Sequence, residues 1–360
     1  MSWSFQIARL FGIPIRLHLT FLLLLGWLAL RAYTGGDPVL LPLAVALFAC
    51  VVLHELGHSL TARRYGIPVS DITLLPIGGV ARMGAMTREP IQEFWIAIAG
   101  PVVNFVLAPL FFLLHRTFEA APVSGDVWQS QGLFFGKLAA LNLGIGLFNL
   151  LPAFPMDGGR ILRSLLAMKL GHVRATKMAA SLGQLLAFGM GFLGLMGNPM
   201  LIFIAFFIFI GAAEEGARAE TESLVAGVPV RDAMMTRFFT LERADSVGRA
   251  ADLLLASTQH DFPVVSNGEV VGVLTRRRLL EALSQAGRDP YVSEVMEPAP
   301  TPVSPDAPLE EALTRLVGEE LSVLPVSNEQ GLCGLLSSEN AGEFVMIRAA
   351  LQRRQQPGAV

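Results

Sequence analysis

The chain has 360 residues, of which 52% are hydrophobic and only 16% are charged, and its formal net charge is −3. Ordinary soluble domains carry about 25% charged residues, so this composition excludes a chain built only of such domains. Residues 1–213 carry 14 Lys and Arg with 8 Asp and Glu, whereas residues 214–360 carry 13 and 22. This contrast predicts an apolar membrane domain followed by an acidic soluble domain, with a boundary near Ala213.

Apolar segments long enough to cross a membrane dominate the first part of the chain, since a spanning helix needs roughly 20 such residues. They are residues 17–33, 38–62, 94–114, 138–156 and 179–213. The last segment is too long for one crossing, and we expect Gly197-Asn198-Pro199 to divide it, which gives about six transmembrane helices. Arginines precede the first segment and no small-residue cleavage site follows it, so we expect a retained span rather than a signal peptide.

Basic residues are concentrated in alternate loops between these segments, and such loops usually face the cytosol. The basic residues of these loops are Arg9, Arg16, Arg63, Arg64, Arg82, Arg88, Arg160, Arg163, Lys169, Arg174 and Lys177. The other loops hold only Arg31, Arg116 and Lys137. The pattern predicts a multi-pass protein of a bacterial or archaeal cytoplasmic membrane, with both termini and the acidic domain in the cytosol.

The second apolar segment contains His54-Glu55-Leu56-Gly57-His58. Histidines at i and i+4 lie on one face of a helix, where both can bind a single metal ion, and Glu55 can remove a proton from water beside it. Ionisable groups inside a membrane helix are costly and usually functional. A hydrogen-bonded packing cluster is the alternative interpretation.

Residues 67–83, IPVSDITLLPIGGVARM, are too short and too interrupted by Pro and Gly to span a membrane. Their loose alternation favours a β-hairpin or a re-entrant strand at the cytosolic face, although an ordinary loop is the simpler alternative. A strand would matter for function, because its exposed edge can pair with an extended peptide.

A third metal ligand is required, because catalytic zinc usually has three protein ligands and one open position. The fourth apolar segment ends in NLLPAFPMDGGR, in which Pro152 and Pro155 interrupt the helix and Asp157 follows them. Broken backbone at membrane depth is tolerated only inside protein or beside a water-filled cavity. Asp157 is therefore the candidate ligand, and it can also cap the helix that starts at Gly158.

HELGH on one membrane helix, together with NLLPAFPMDGGR on a later one, resembles the site-2 protease family of intramembrane metalloproteases. The resemblance implies that His54, His58 and Asp157 bind one zinc ion, that Glu55 is the catalytic base, and that the substrate is a transmembrane helix. It also implies that Ala99-Gly100-Pro101-Val102-Val103-Asn104 is a small-residue packing segment. The predicted substrate-binding residues are Asn149, Gly78, Gly79 and Asn104.

The second part of the chain contains an internal repeat at a constant offset of 62 residues. Val230–Met234 aligns with Val292–Met296, Pro263-Val264 with Pro325-Val326, Gly272 with Gly334, and Thr275 with Ser337. Each unit is predicted to contain a short strand, an amphipathic helix (residues 246–257 and 309–318), two strands and a closing helix.

This repeat is similar to a tandem pair of CBS domains, which often bind adenine nucleotides. The resemblance implies nucleotide contacts at Thr275 and Ser337 and a homodimer formed through the module. The carboxylate expected three residues later is replaced by Arg278 and Asn340. Arg276-Arg277-Arg278 can instead contact phosphates or an acidic partner, or simply be a solvated helix start, so a structural or dimerisation role stays open.

The predicted fold is a polytopic α-helical membrane protein with about six transmembrane helices and a small β-hairpin, followed by an α/β tandem CBS module. The domains are residues 1–218 (transmembrane metalloprotease), 219–227 (linker), 228–285 (first CBS repeat), 286–350 (second) and 351–360 (tail). The predicted function is cleavage of a single-span membrane protein in or near its transmembrane segment, modulated by the module. The alternatives are a CBS-regulated channel or transporter and a catalytically inactive scaffold, and no nucleic-acid partner is expected.

Overall fold

A computed structural model describes residues 3–35, 39–76, 78–84, 89–119, 133–284 and 289–355 of the chain. Contacts divide the chain into two units, Met1–Ala219 and Glu220–Val360. Some predicted features lie outside the described residues, namely Pro38 at the start of the second segment, Ile77 in the hairpin, Arg88 among the loop arginines, and residues 356–360 of the tail.

Seven of the described helices begin in the first unit. They are α1 (Leu19–Gly35), α2 (Leu40–Arg64), α3 (Pro90–Phe118), α4 (Phe134–Asn149), α5 (Asp157–Leu170), α6 (His172–Leu195) and α7 (Pro199–Val225). The predicted division of the last apolar segment is confirmed, because α6 ends two residues before Gly197 and α7 begins at Pro199. α7 also continues as one helix through most of the predicted linker, residues 219–227.

The prediction for the fourth segment is wrong at its end. Helix α4 stops at Asn149, seven residues before the predicted end at Met156. Pro152 and Pro155 explain the difference, because proline lacks a backbone N–H and clashes with the preceding helical turn. Residues 150–156 form bends and turns instead, and α5 begins at Asp157.

Four of the described helices are long and apolar enough to cross a membrane, namely α2, α3, α6 and α7. Helices α1 and α4 are apolar but have only 17 and 16 residues. At 1.5 Å per residue they reach about 24–26 Å, which is less than the roughly 30 Å of a typical hydrocarbon core. The structure therefore supports a polytopic α-helical domain, and the count of six crossings is not confirmed.

A four-stranded sheet accompanies the helices of the first unit. Its strands are β1 (Ser4–Leu10), β2 (Ile13–His18), β3 (Val69–Leu75) and β4 (Gly78–Met83), in the order β1-β2-β3-β4. β3 and β4 form the hairpin predicted within residues 67–83, with Thr73 opposite Val80. β2 pairs in parallel with β3, and the other two pairs are antiparallel.

The hairpin β1–β2 was not predicted. Its turn is made by Phe11 and Gly12, both with positive φ angles, which is the backbone conformation that favours tight hairpin turns. The signal in the sequence was an apolar residue followed by glycine between two alternating runs. Ile13 and Ile15 of β2 pack with Ile72 and Leu74 of β3 against α2, so the sheet is anchored to the helix that carries HELGH.

The second unit contains two α/β repeats. The described elements are β5 (Leu241–Glu242), α8 (Val247–Ala256), β6 (Phe262–Ser266), β7 (Glu269–Leu274), α9 (Arg276–Leu283), α10 (Val292–Val295), β8 (Glu297–Pro298), α11 (Leu309–Gly318), β9 (Val323–Asn328), β10 (Gly331–Ser337) and α12 (Ser338–Gln355). The two predicted amphipathic helices are present as α8 and α11. α12 runs beyond residue 350 into the predicted tail.

The two repeats exchange segments at the predicted offset of 62 residues. Met235, near the start of the first repeat, pairs with Leu335 of β10 in the second, and Glu297 of the second repeat pairs with Val273 of β7 in the first. A methyl group on Gly334 would lie 2.4 Å from Sδ of Met234, and one on Gly272 would lie 2.5 Å from Sδ of Met296. Each repeat thus completes the other, and the pair forms one interdependent module.

Candidate functional site

His54 and His58 lie one turn apart on α2 and direct their imidazoles to the same point. Their Nε2 atoms are 3.1 Å apart, and each residue is 5% exposed. The i, i+4 spacing puts both side chains on one helix face, because residues four apart lie one turn above each other.

The bend between α4 and α5 brings Asp157 to the two histidines. Oδ2 of Asp157 lies 3.2 Å from Nε2 of His54 and 3.2 Å from Nε2 of His58. Gly158 and Gly159 permit the approach, since a methyl group on Gly158 would lie 2.2 Å from the Leu151 carbonyl oxygen. Glycine is therefore required at both positions for close packing against residues 150–156. The bend formed by these residues places the Asp157 carboxylate next to the histidines.

The three ligand atoms fit a zinc ion. Tetrahedral zinc with bonds of about 2.0–2.1 Å keeps neighbouring ligand atoms roughly 3.3–3.4 Å apart, and the observed separations are 3.1 and 3.2 Å. Two neutral imidazoles and one carboxylate are a donor set that zinc accepts in catalytic sites. Within the described parts of the chain, this is the group of His, Cys, Asp and Glu residues whose ligand atoms converge closely enough to bind a metal.

A polar chain orients His54 from behind. Its Nδ1 donates to Oδ1 of Asn104 at 2.5 Å, and Nδ2 of Asn104 donates to Oδ1 of Asn142 at 3.0 Å. Asn142 in turn donates to the Leu138 carbonyl at 2.9 Å. Hydrogen bonds of this kind set the tautomer of a metal-binding histidine and leave Nε2 free for the metal.

The imidazole of His58 is oriented by a hydrogen bond to a backbone carbonyl. Its Nδ1 donates to the Ile96 carbonyl on α3 at 2.7 Å. Both Nε2 atoms are thus presented as acceptors, which is the form that binds a cation.

Glu55 lies directly below the edge strand of the sheet. A methyl group on Gly79 of β4 would lie 2.6 Å from Cγ of Glu55 and 3.2 Å from Cγ1 of Val51. Only a glycine lets the strand cross so close to this side chain. The carboxylate, the metal-binding face of α2 and the edge of β4 therefore meet at one place.

Helix α3 packs against the histidines without a side chain between them. A methyl group on Gly100 would lie 2.1 Å from Nε2 of His58 and 2.7 Å from Nε2 of His54. One on Gly57 of α2 would lie 2.8 Å from the Ala99 carbonyl oxygen. The segment around Gly100 was identified from the sequence as a packing element, and the structure adds that Gly100 faces the ligand nitrogens.

The four residues predicted to contact substrate lie in three different environments. Gly78 and Gly79 lie on the edge strand next to Glu55. Asn149 is the last residue of α4 and is partly exposed. Asn104 is fully buried, and both polar atoms of its amide are used in hydrogen bonds with His54 and Asn142.

Thr275 and Ser337 occupy equivalent positions in the second unit. Each caps the helix after it, by accepting from the backbone N–H of Arg278 and of Asn340 respectively. Ser337 borders a cleft of about 640 Å³ with Gln259, His260 and Asn340, among others. Thr275 borders a second cleft of about 360 Å³ with Arg276 and Arg277.

Sequence reasoning missed Asn142 and the carbonyl of Ile96. Asn142 offered a signal, because an amide within the apolar run LAALNLGIGLF must find a partner inside the protein. The Ile96 carbonyl offered none, since any helical residue has one and only the packing of α3 on α2 selects it.

Comparison with known proteins identifies the family of this chain. The profile of Peptidase family M50 matches residues 42–124 and 121–190, and the CBS domain profile matches residues 230–285 and 292–341. Zinc metalloprotease MJ0392 of Methanocaldococcus jannaschii is 35% identical over 321 residues, which cover 89% of this chain and 90% of that relative.

Two further relatives match parts of the chain. CBS domain-containing protein YhcV of Bacillus subtilis is 29% identical over 110 residues, covering 30% of this chain and 79% of that protein. The solved structure of a site-2 protease from Methanocaldococcus jannaschii is 40% identical, with a TM-score of 0.45, and the match covers 59% of this chain and 95% of that one.

A relative 35% identical along nine-tenths of both chains establishes the class, so this chain belongs to Peptidase family M50, the site-2 protease type, with two CBS domains. It is an intramembrane zinc metalloprotease, integral to a membrane, and proteins of its family act on membrane-protein substrates. Zinc is its cofactor, and the His54, His58 and Asp157 cluster has the donor chemistry to hold it.

Gly100→Ala should abolish zinc binding, because the added methyl group has no room beside the two ligand nitrogens. We expect the purified full-length variant to contain far less zinc than wild type by elemental analysis and to lose protease activity. Gly144→Ala is the matched control, since a methyl group there meets nothing within 4 Å. Wild-type zinc content in Gly100→Ala would contradict the described packing of α3.

Proposed function

We propose that His54, His58 and Asp157 bind the catalytic zinc and that Glu55 is the general base and acid of peptide hydrolysis. The observation that carries this proposal is the convergence of three ligand atoms at 3.1–3.2 Å with Glu55 next to His54 on the same helix. The inactive-scaffold alternative is disfavoured, because all four residues of the required set are present. The channel alternative gives no reason for this cluster.

A zinc ion held by His54, His58 and Asp157 would supply Lewis-acid chemistry, which makes water a better nucleophile near neutral pH and polarises the scissile carbonyl. Glu55 then accepts a proton from the attacking water and returns it to the leaving amine. Asn104 and the Ile96 carbonyl keep the two imidazoles in the metal-binding tautomer during this cycle.

The edge of β4 is the proposed docking place for the scissile segment. A transmembrane helix hides its carbonyls in hydrogen bonds, so it must unwind before hydrolysis. β4 is the last strand in the sheet order, and Gly78 and Gly79 carry no side chain that would obstruct a peptide. An unwound segment that adds as a further strand there lies beside Glu55, and Asn149 is proposed to contact its backbone.

We propose further that the substrate spans the membrane once and that the protease crosses it about six times, with both termini in the cytosol. The basic loops support this orientation. The apolar character of α1 and α4 supports their contribution to the crossings beside the four longer helices. A bacterial or archaeal cytoplasmic membrane is the proposed location.

The C-terminal module is proposed to modulate the protease by binding an adenine nucleotide in the clefts beside Ser337 and Thr275. Arg276 borders the second cleft and can meet a phosphate there, whereas Arg277 is ion-paired with Glu297. A homodimer formed through the module is part of the same proposal.

Glu55→Gln tests the mechanism. It removes the proton acceptor while keeping the shape of the side chain, so cleavage of single-span substrates should fall by at least 10²–10⁴-fold, the usual contribution of general acid–base catalysis. Zinc content, measured in parallel, should stay at the wild-type level. Undiminished cleavage by the zinc-loaded variant would sink the role given to Glu55.

Strand addition is tested by photo-crosslinking from the two edges of one sheet. A photoreactive residue at Val80 on β4 should capture substrate in the Glu55→Gln background, because the scissile segment lies along this strand. Ile7 on β1, at the opposite edge, is the matched control, since it is similarly exposed at 57% against 46% for Val80. Equal capture at the two positions, or none at Val80, would rule strand addition out.

Nucleotide binding is tested on the full chain by following its thermal unfolding with adenosine, AMP and ATP. A ligand that binds only the folded state stabilises it by mass action and therefore raises the transition temperature. At a ligand concentration of 100 times Kd, the free energy of unfolding rises by about 2.7 kcal/mol. Ser322 borders both clefts, so Ser322→Trp should abolish the shift while leaving the ligand-free transition in place. If none of the three compounds shifted the transition temperature at millimolar concentration, the proposed binding of an adenine nucleotide by the module would be wrong.

A further inference from the structure

A buried arginine, Arg163, joins three helices beside the metal centre. It lies on α5, six residues after Asp157, and is 6% exposed. Its Nε donates to Oε1 of Glu93 on α3 at 2.7 Å, and its Nη1 donates to Oε1 of Glu215 on α7. Glu93 is 1% exposed and its other oxygen has no partner among the described residues, so its charge depends on Arg163.

Arg163 also covers the segment that delivers Asp157. Its guanidinium carbon lies 5.1 Å from the centre of the Phe154 ring, a geometry that stabilises a cation over an aromatic face. Phe154 is 2% exposed and belongs to the bend of residues 150–156. That bend leaves no room at Gly159, where a methyl group would lie 2.7 Å from the Phe154 nitrogen. A shift of Phe154 therefore moves the start of α5, where Asp157 lies.

One face of α7 holds the same bend from the other side. A methyl group on Gly211 would lie 2.6 Å from Cδ of Pro155, and Ala212 packs with Phe154 in a buried cluster. Glu215 follows four residues after Gly211, so it lies on the same face of the helix. α7 thus contacts the bend through Gly211 and Ala212 and reaches Arg163 through Glu215.

Glu93 connects Arg163 to the groups that orient the histidines. Ile96, Gly100 and Asn104 follow it on α3 at spacings of three, seven and eleven residues, which keep to one helix face. These three residues supply the carbonyl bonded to His58, the close packing on both Nε2 atoms, and the amide bonded to His54. The Glu93–Arg163 pair ties the Asp157 side of the site to the histidine side.

We propose that Arg163 is a positioning residue that sets Asp157 against His54 and His58 and makes their geometry depend on α7. The proposal rests on the assignment of these three residues as zinc ligands. α7 continues as one helix to Val225, beyond the end of the first unit at Ala219. A shift of α7 imposed by the C-terminal module reaches the ligand set through Glu215, Arg163 and the bend.

Two variants of the full chain separate this role from general stability. Glu215→Gln removes the charge on α7 and leaves the buried Glu93–Arg163 pair intact. The double variant Glu93→Gln with Arg163→Met removes both buried charges together, so that neither is left without a partner. Each variant is purified, loaded with zinc or with cobalt(II), and compared with wild type.

The expected results concern the metal as well as the rate. Zinc affinity, from chelator competition, should fall about 10-fold in Glu215→Gln and roughly 10–100-fold in the double variant, as for other groups behind metal ligands. The value of kcat should fall while KM stays unchanged, because substrate docking is not altered. The visible spectrum of the cobalt(II) form should change in both variants, since it reports the geometry of the metal ligands. Arg163→Lys keeps the positive charge, so it should retain part of the zinc affinity that the double variant loses.

Glu119→Gln is the matched control, because Glu119 forms a buried contact with His115 at the opposite end of α3. It should lower thermal stability and leave the cobalt(II) spectrum unchanged. Wild-type zinc affinity and spectrum in both Arg163-network variants would overturn the proposal. Asp157→Asn distinguishes this failure from failure of the proposed function, because undiminished zinc binding in that variant would contradict the ligand assignment itself.

Discussion

Three ionisable side chains converge inside an apolar helical protein, and the surrounding structure has to satisfy every polar atom that they bring. Little water reaches the interior of such a protein, so a polar group without a hydrogen-bond partner there destabilises the fold. His54 and His58 direct one nitrogen to the shared point and the other to Asn104 and to the Ile96 carbonyl. The amide of Asn104 needs a partner in turn and donates to Asn142, which donates to the Leu138 carbonyl.

Small residues are what allow the helices and the sheet to come this close. Between membrane helices the hydrophobic effect gives little attraction, and close backbone packing supplies much of the stability instead. Gly57 and Gly100 bring α2 and α3 together at the histidines, and Gly79 lets β4 pass over Glu55. The glycines thus bring the edge of β4, the Glu55 carboxylate and the histidine face of α2 within reach of one another.

The two CBS repeats of the C-terminal module are structurally interdependent. Because each CBS repeat completes the sheet of the other, through Met235 with Leu335 and Glu297 with Val273, one repeat cannot move without disturbing its neighbour. The clefts that border Ser337 and Thr275 share residues such as His260 and Ser322, so they adjoin one another within the module. α7 is the covalent route from this module to the helices that hold Asp157.

Local chemistry explains which features the sequence determined. HELGH predicts two ligands on one helix face, because the spacing of an α-helix is fixed, and the prolines before Asp157 predict a broken helix, because proline cannot continue one. The 62-residue repeat likewise predicted the paired α/β units of the module. Tertiary structure alone decided that Asn104 bonds His54 and that Arg163 meets Glu93 and Glu215. These are contacts between residues 50 or more positions apart, and their partners are selected by how the helices pack, which no local pattern encodes.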